Sequence, residues 1–255
     1  MSFTQKHLFN LLNWSAAEIQ QTIDLAIELK TEWKNQGPKM HLQGKNVALY
    51  FEKPSLRTIT TFQMGIMQMG GGAVVLDPQS IGLGKREPVE DVARCLGRWT
   101  DGLVVRCFEQ QLVEQLGKWS EKPTINALTD DFHPCQALAF GQLMQEHFGS
   151  LKGQKVVFVG DGNNVANSLA VLAAKLGMHF VLTCPPGYEQ DQKFLTSLDS
   201  LFKQSGGSYQ QESDPHNAVK NADILYGDVW ASMGQESEQV ELSLIHISEP
   251  TRLGF

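Results

Sequence analysis

Cysteine is sparse and unpatterned in this sequence: Cys95, Cys107, Cys135 and Cys184 are scattered, with no C-x-x-C pair among them. That argues against a disulfide framework and against structural zinc, and it predicts a reducing compartment, the cytoplasm. Long apolar runs are absent too. Nothing reaches membrane-spanning length, and the opening MSFTQKHLFNLLNWS has no secretory h-region, so neither a membrane nor an export signal is expected. Basic charge is in deficit: 21 Lys and Arg against 28 Asp and Glu give a net charge of -7. That excludes a nucleic-acid partner, because phosphate contacts need clustered cations, but it leaves room for a local basic pocket around a small anion. Tandem repeats and low-complexity segments are missing as well. What is present is ordinary, 42% hydrophobic and 19% charged in 255 residues, enough for two modest α/β domains or one large one.

The periodicity gives the organisation. Ser15 and Glu18 have capping-box spacing and predict a helix whose apolar face runs through Ile19, Ile23, Ala26, Ile27 and the stem of Lys30 to Trp33, stopped by Gly37-Pro38. Short β-branched runs at 46–51, 73–77, 102–107 and 124–128 then alternate with helical stretches at 58–69, 88–99 and 110–119. A helix over 134–148 ends at Gly149-Ser150, and the pattern restarts. Strands follow at 155–160, 180–184, 209–211 and 224–226, with a helix over 164–176. This alternation predicts an α/β fold of two doubly wound parallel-sheet domains, 1–149 and 150–241, with the active site in the cleft between them. Ligands in such sheets sit beyond the carboxyl ends of the strands.

Chemistry-bearing residues cluster at those ends. After the first strand comes Glu52-Lys53-Pro54-Ser55-Leu56-Arg57-Thr58 and then a helix, whose N-terminus offers free N–H groups, two hydroxyls and a guanidinium to an anion. The plainer reading is that Ser55 caps the helix and Arg57 is solvated. Arg106 ends the third strand and is expected to point into the cleft. Asp131-Phe132-His133-Pro134-Cys135-Gln136 opens the long helix, where His133 offers a donor for a carbonyl oxygen and Gln136 an amide for a neighbouring nitrogen. In the second half, Gly160-Asp161-Gly162-Asn163-Asn164-Val165 suggests a dinucleotide turn, but Val165 stands where the third glycine is needed. Asp228 and Ser232, four residues apart after the last strand, suit an ammonium and a carboxylate.

Together, Phe-Glu-Lys-Pro-Ser-Leu-Arg-Thr, the strand-end arginine and His-Pro-Cys-Gln resemble the carbamoyl-phosphate signature of the aspartate/ornithine carbamoyltransferase family, over about residues 42–234. The resemblance implies that Ser55, Leu56 (through its backbone), Arg57 and Thr58 bind phosphate. Arg106 and His133 would polarise the carbonyl oxygen and Gln136 would hold the carbamoyl amine, with Arg57, Arg106 and His133 as the catalytic set. Asp-x-Trp-x-Ser-Met-Gly at 228–234 is similar to the ornithine-binding loop of the family. On that match Asn164, Asp228, Ser232 and Met233 would hold L-ornithine. The activity implied is carbamoyl transfer from carbamoyl phosphate to ornithine, with carbamoyl phosphate bound first, domain closure, no metal or organic cofactor, and a homotrimer with sites at subunit interfaces. A different amine, such as putrescine or an acylated ornithine, is the alternative, as is a fragment that binds without turnover.

The sequence departs from that family in places. Ile59 replaces a common arginine, which puts the rigidity of the phosphate loop in question, and Phe140 replaces a common aspartate. Residues 80–87, expected to reach a neighbouring subunit's site, lack the glutamine many relatives offer there. The family's His-Cys-Leu-Pro motif and final helix have no counterpart. Instead Leu-Ser-Leu-Ile-His-Ile-Ser-Glu-Pro-Thr-Arg at 242–252 resembles the translation of a transposase-type sequencing adapter. Residues 242–255 are therefore expected to be a non-native tail, and His246 is no site candidate.

Overall fold

The computed structural model describes residues 3–228. Ser15 opens α1 (Ala16–Gln36) with a reciprocal capping box. Its hydroxyl accepts from the Glu18 N–H at 3.1 Å, and the Glu18 carboxylate accepts the Ser15 N–H at 2.9 Å. Glu18 also accepts from the Thr4 N–H and hydroxyl, each at 2.7 Å, which ties the N-terminal segment to the helix. These donors, the Ser15 backbone foremost, hold the carboxyl down to about 2.

The first sheet is built from β1 (Asn46–Phe51), α2 (Leu56–Gln68), β2 (Gly72–Leu76), a short α3 (Pro78–Ile81), α4 (Val89–Trp99), β3 (Gly102–Arg106), α5 (Gln110–Ser120) and β4 (Thr124–Leu128). Its strands are all parallel, in the order β2-β1-β3-β4. Side chains alternate across it as the pleat requires. Ala48, Tyr50, Leu103 and Val105 pack with Ala93 and Leu96 of α4 and Val113 and Leu116 of α5. Leu49, Phe51 and Val104 pack with Ile66 of α2. Ile59, the departure noted above, lies in this second cluster beside Phe62, so its side chain anchors α2 to the sheet.

After α6 (Pro134–Phe148) come β5 (Lys155–Val159), α7 (Asn164–Leu176), β6 (His179–Thr183), α8 (Gln192–Ser205), β7 (Ser208–Gln211), a short α9 (Pro215–Ala218) and β8 (Ile224–Gly227). This second parallel sheet has the order β7-β6-β5-β8. The expected α/β architecture of two doubly wound parallel sheets is what the chain forms. Each sheet reverses its order at one internal pair, β1/β3 in the first and β5/β8 in the second. A crevice opens at such a pair because the crossover helices leave it on opposite faces.

The largest apolar cluster joins Ile19 and Ile23 of α1, Ala137 and Phe140 of α6, and Leu169 and Leu172 of α7 to Phe158 and Phe180 of the second sheet. The first helix of the chain thus completes the core of the second sheet. Its apolar face is shorter than expected, for Trp33 is 52% exposed. Ile23 lies against Gly141, and Lys30 pairs with Glu146 at 2.5 Å. The last turn of α1 therefore runs toward the end of α6, and Trp33 is left half-covered there. Among the described residues no helix is long and apolar enough to cross a membrane.

Candidate active site

Three segments of the first sheet meet at its carboxyl edge. Phe51 is in register with Arg106, and Arg106 with Leu128, so the exits of β1, β3 and β4 are neighbours. The register slips between Val105 and Arg106, an irregularity of the kind that redirects a side chain at a strand end. It also stops β3 one residue short of the run read from sequence. Arg106 is 3% exposed, and burial pulls its guanidinium below the ordinary value. His133, at the N-cap of α6, is also buried, with its Nδ1 unpartnered among the described residues. Burial first, and then the positive charge of Arg106, brings its imidazole down to about 4, so it is neutral near pH 7.

On the β1 side, Ser55 accepts the Thr58 N–H at 3.2 Å and caps α2, which is the plainer of the two sequence readings. That bond starts α2 at Leu56, two residues before the sequence expectation. Leu56 is exposed and Thr58 half-buried; Arg57 is exposed, and its guanidinium has no ion pair or hydrogen bond among the described residues. Capping and anion binding are compatible, since one hydroxyl satisfies only one of the first-turn N–H groups. Lys53, passed over in the sequence, is buried here. Its ammonium pairs with the Asp130 carboxylate and lies 4.6 Å from the centre of the Phe108 ring. It clamps the β1 exit to the β4 exit with the end of β3 between them. A lysine two residues after a buried strand and before a proline was the available signal.

The second sheet brings its own edge to the same place. Asn163 caps α7, accepting the Val165 and Ala166 N–H groups at 2.9 and 3.2 Å. Its Nδ2 donates to the Asp228 carboxylate at 2.5 Å across the β5/β8 crevice. A dinucleotide reading loses its cradle here, because the helix N–H groups that would meet a phosphate are already taken by Asn163. Asn164 donates to the Thr129 carbonyl at 2.5 Å, Asn167 donates to the Asp131 carbonyl at 3.1 Å, and the His133 N–H donates to the Ser168 hydroxyl at 2.7 Å. Gln136 donates to the Tyr226 hydroxyl at 2.6 Å. The opening turns of α7 therefore grip the loop that presents His133. Ser232 and Met233 lie outside the described residues, as does the expected tail at 242–255.

Asn163, Ser168 and Tyr226 were not legible as site residues, because each works through a partner at least 35 residues away. Among the described residues no group of three or more His, Cys, Asp or Glu is arranged to hold a metal ion. The Cys135 thiol is pushed up to about 12 by burial and donates to the Asn126 carbonyl, so it is no nucleophile.

Residues 6–146 match the model for the aspartate/ornithine carbamoyltransferase carbamoyl-P binding domain, and residues 152–247 that for the Asp/Orn binding domain. The chain is 41% identical over 241 residues to an ornithine carbamoyltransferase of Halalkalibacterium halodurans, spanning 94% of this chain and 76% of that one. Its structure superposes on that of the Pyrococcus furiosus ornithine carbamoyltransferase with a TM-score of 0.91 at 41% identity, covering 96% of this chain and 79% of that one. An N-acetyl-L-ornithine transcarbamylase structure matches with a TM-score of 0.80 at 33% identity, covering 94% of this chain and 81% of that one. The chain belongs to the aspartate/ornithine carbamoyltransferase family.

Proposed function

We propose that this chain transfers the carbamoyl group of carbamoyl phosphate to the δ-amine of L-ornithine, giving L-citrulline and phosphate. In this reading the phosphate lies on the first turn of α2, held by Ser55, the Leu56 backbone, Arg57 and Thr58. Arg106 and His133 donate to the carbonyl oxygen, and Gln136 accepts from the carbamoyl amine. The neutral δ-amine attacks the carbonyl carbon, the bond to the bridging oxygen breaks, and its electron pair leaves with phosphate. The attacking nitrogen then gives up a proton to the departing phosphate. The protein's task is orientation of two reactants and stabilisation of the developing oxyanion, which needs neither a metal nor an organic cofactor.

The observation that carries the reading is the Asp228 carboxylate, held by Asn163 at the second crevice and joined through α7 to the loop of His133. A carboxylate there suits the α-ammonium of ornithine, with Asn164, Ser232 and Met233 completing the amino-acid end. An acylated ornithine has no charge at that nitrogen, and putrescine has no carboxylate for Ser232. Exposed Met64 and Met67 on α2, and exposed Val74 and Val75 on the edge strand β2, support a homotrimer assembled through this edge of the first sheet. A cytoplasmic location belongs to the same reading.

The test is a panel of L-ornithine, N-acetyl-L-ornithine and putrescine with carbamoyl phosphate, each ureido product quantified. Citrulline should dominate. Faster turnover of either other amine would replace ornithine as substrate, and carbamoyl-phosphate binding without any product would leave a binding protein only.

A further inference from the structure

Tyr226 is not among the residues assigned to either substrate, yet it touches Gln136, the residue assigned to the carbamoyl amine. It lies on β8 in register with Phe158 of β5, and its ring stacks on Phe158 at 5.4 Å with 15° between the planes. The Phe140 ring meets it edge-on at 5.6 Å and 72°. Phe140 follows Gln136 by one helical turn, so the two share a face of α6, and that face rests on Tyr226. At the top of the aromatic stack the Tyr226 hydroxyl oxygen accepts an N–H from Gln136 Nε2 at 2.6 Å.

A glutamine amide offers a donor at one end and an acceptor at the other. With Nε2 engaged by Tyr226, Oε1 is the end left to face a ligand. An acceptor is what a carbamoyl –NH2 requires; a methyl or an oxyanion in its place gains nothing from it. We propose that Tyr226 is a positioning residue for the carbamoyl donor: its hydroxyl anchors the Gln136 amide through Nε2 with Oε1 left toward the carbamoyl amine, and so helps the site favour a carbamoyl group over other acyl phosphates. The inference rests on the assignment of Gln136 to the carbamoyl amine. It also gives Phe140 a purpose, since the phenyl edge holds the Tyr226 ring where an aspartate would not pack.

Tyr226→Phe keeps the ring stack and removes only the hydroxyl. The probes are phosphonoacetamide, which carries the amide, and inorganic phosphate, which does not, titrated calorimetrically into the wild type and the variant. Wild type should prefer phosphonoacetamide. In the variant that preference should shrink by roughly five- to tenfold, the value of one well-placed hydrogen bond, while phosphate affinity stays unchanged. Turnover should show the same selectivity, with the KM for carbamoyl phosphate raised and the KM for ornithine little moved. Equal affinities in variant and wild type would overturn the proposal. A parallel loss for both probes would also overturn it, by marking Tyr226 as merely structural. No preference in the wild type would remove Gln136 from the site, and the inference with it.

Discussion

Arg106 and His133 sit side by side with little water, and a buried guanidinium beside a buried imidazole settles which of them carries the charge. The arginine stays cationic and the histidine neutral, the pairing that lets one donate as a charge and the other as a neutral N–H. The same burial has a cost that depends on pH. In the unfolded chain the imidazole titrates near 6.5, and in the fold near 4. Above about 6.5 both states are neutral and the residue is silent. Between about 6.5 and 4 only the unfolded chain takes up the proton, so stability is lost as pH falls through that window and levels off below it. His133→Gln should remove that component, worth on the order of 3 kcal/mol across the window. Urea melts of the two proteins at a series of pH values check it, and identical slopes would refute it. Asp228 makes the complementary case. Asp228→Ala should weaken ornithine binding to the carbamoyl-phosphate complex by about 1.5–3 kcal/mol and leave carbamoyl-phosphate affinity nearly intact. Calorimetry that found ornithine affinity unchanged would remove Asp228 from the proposed site.

The elements were read from sequence to within two residues at most strand and helix ends, because hydrophobic period and caps are local properties. The strands 46–51 and 124–128 and the helices 134–148 and 164–176 agree at both ends. What local pattern could not supply was partnership. Ile19 and Ile23 say that α1 buries a face, and nothing near them says that the face belongs to α6 and α7, more than a hundred residues on. The short α3 and α9 escaped for a different reason: four residues hold too little periodicity to register. The candidate site divides the same way. Ser55, Arg106, His133 and Asp228 sit at strand and helix ends that sequence could find, whereas Lys53, Asn163, Ser168 and Tyr226 matter only for what they meet across the fold. The turn after β5 shows how tightly such meetings are drawn. A Cβ on Gly162 would lie 2.4 Å from the Gln190 backbone nitrogen, with no flexible side chain to give way. Gly162→Ala should cost about 1–3 kcal/mol and displace Asn163 from Asp228. Ornithine affinity should then fall with phosphate affinity little changed, and a variant that melts and binds as wild type would contradict this account.

For the whole molecule, the unresolved energy lies on its surface. Val74 and Val75 are 51% and 45% exposed on β2, an edge strand, and edge strands with apolar side chains invite pairing. In the proposed trimer this side of the first sheet is covered by a second copy. Light scattering should give three copies of the chain, and Met67→Lys with Val74→Glu should shift the mass toward one. If sites are shared between subunits, citrulline formation should fall with the mass. A single-copy mass for the unaltered protein would refute the arrangement.

The placement of α1 also sets a schedule for synthesis. The helix leaves the ribosome before α6 and α7, with Ile19 and Ile23 exposed, and the surfaces that receive them are encoded at 134–176. At about 5–20 residues per second, the nascent chain carries that uncovered face for roughly six to thirty seconds while the first sheet is being made. An element born before the first sheet thus reaches its seat only after that sheet is made, and the second sheet finishes its core with a segment synthesised long before it.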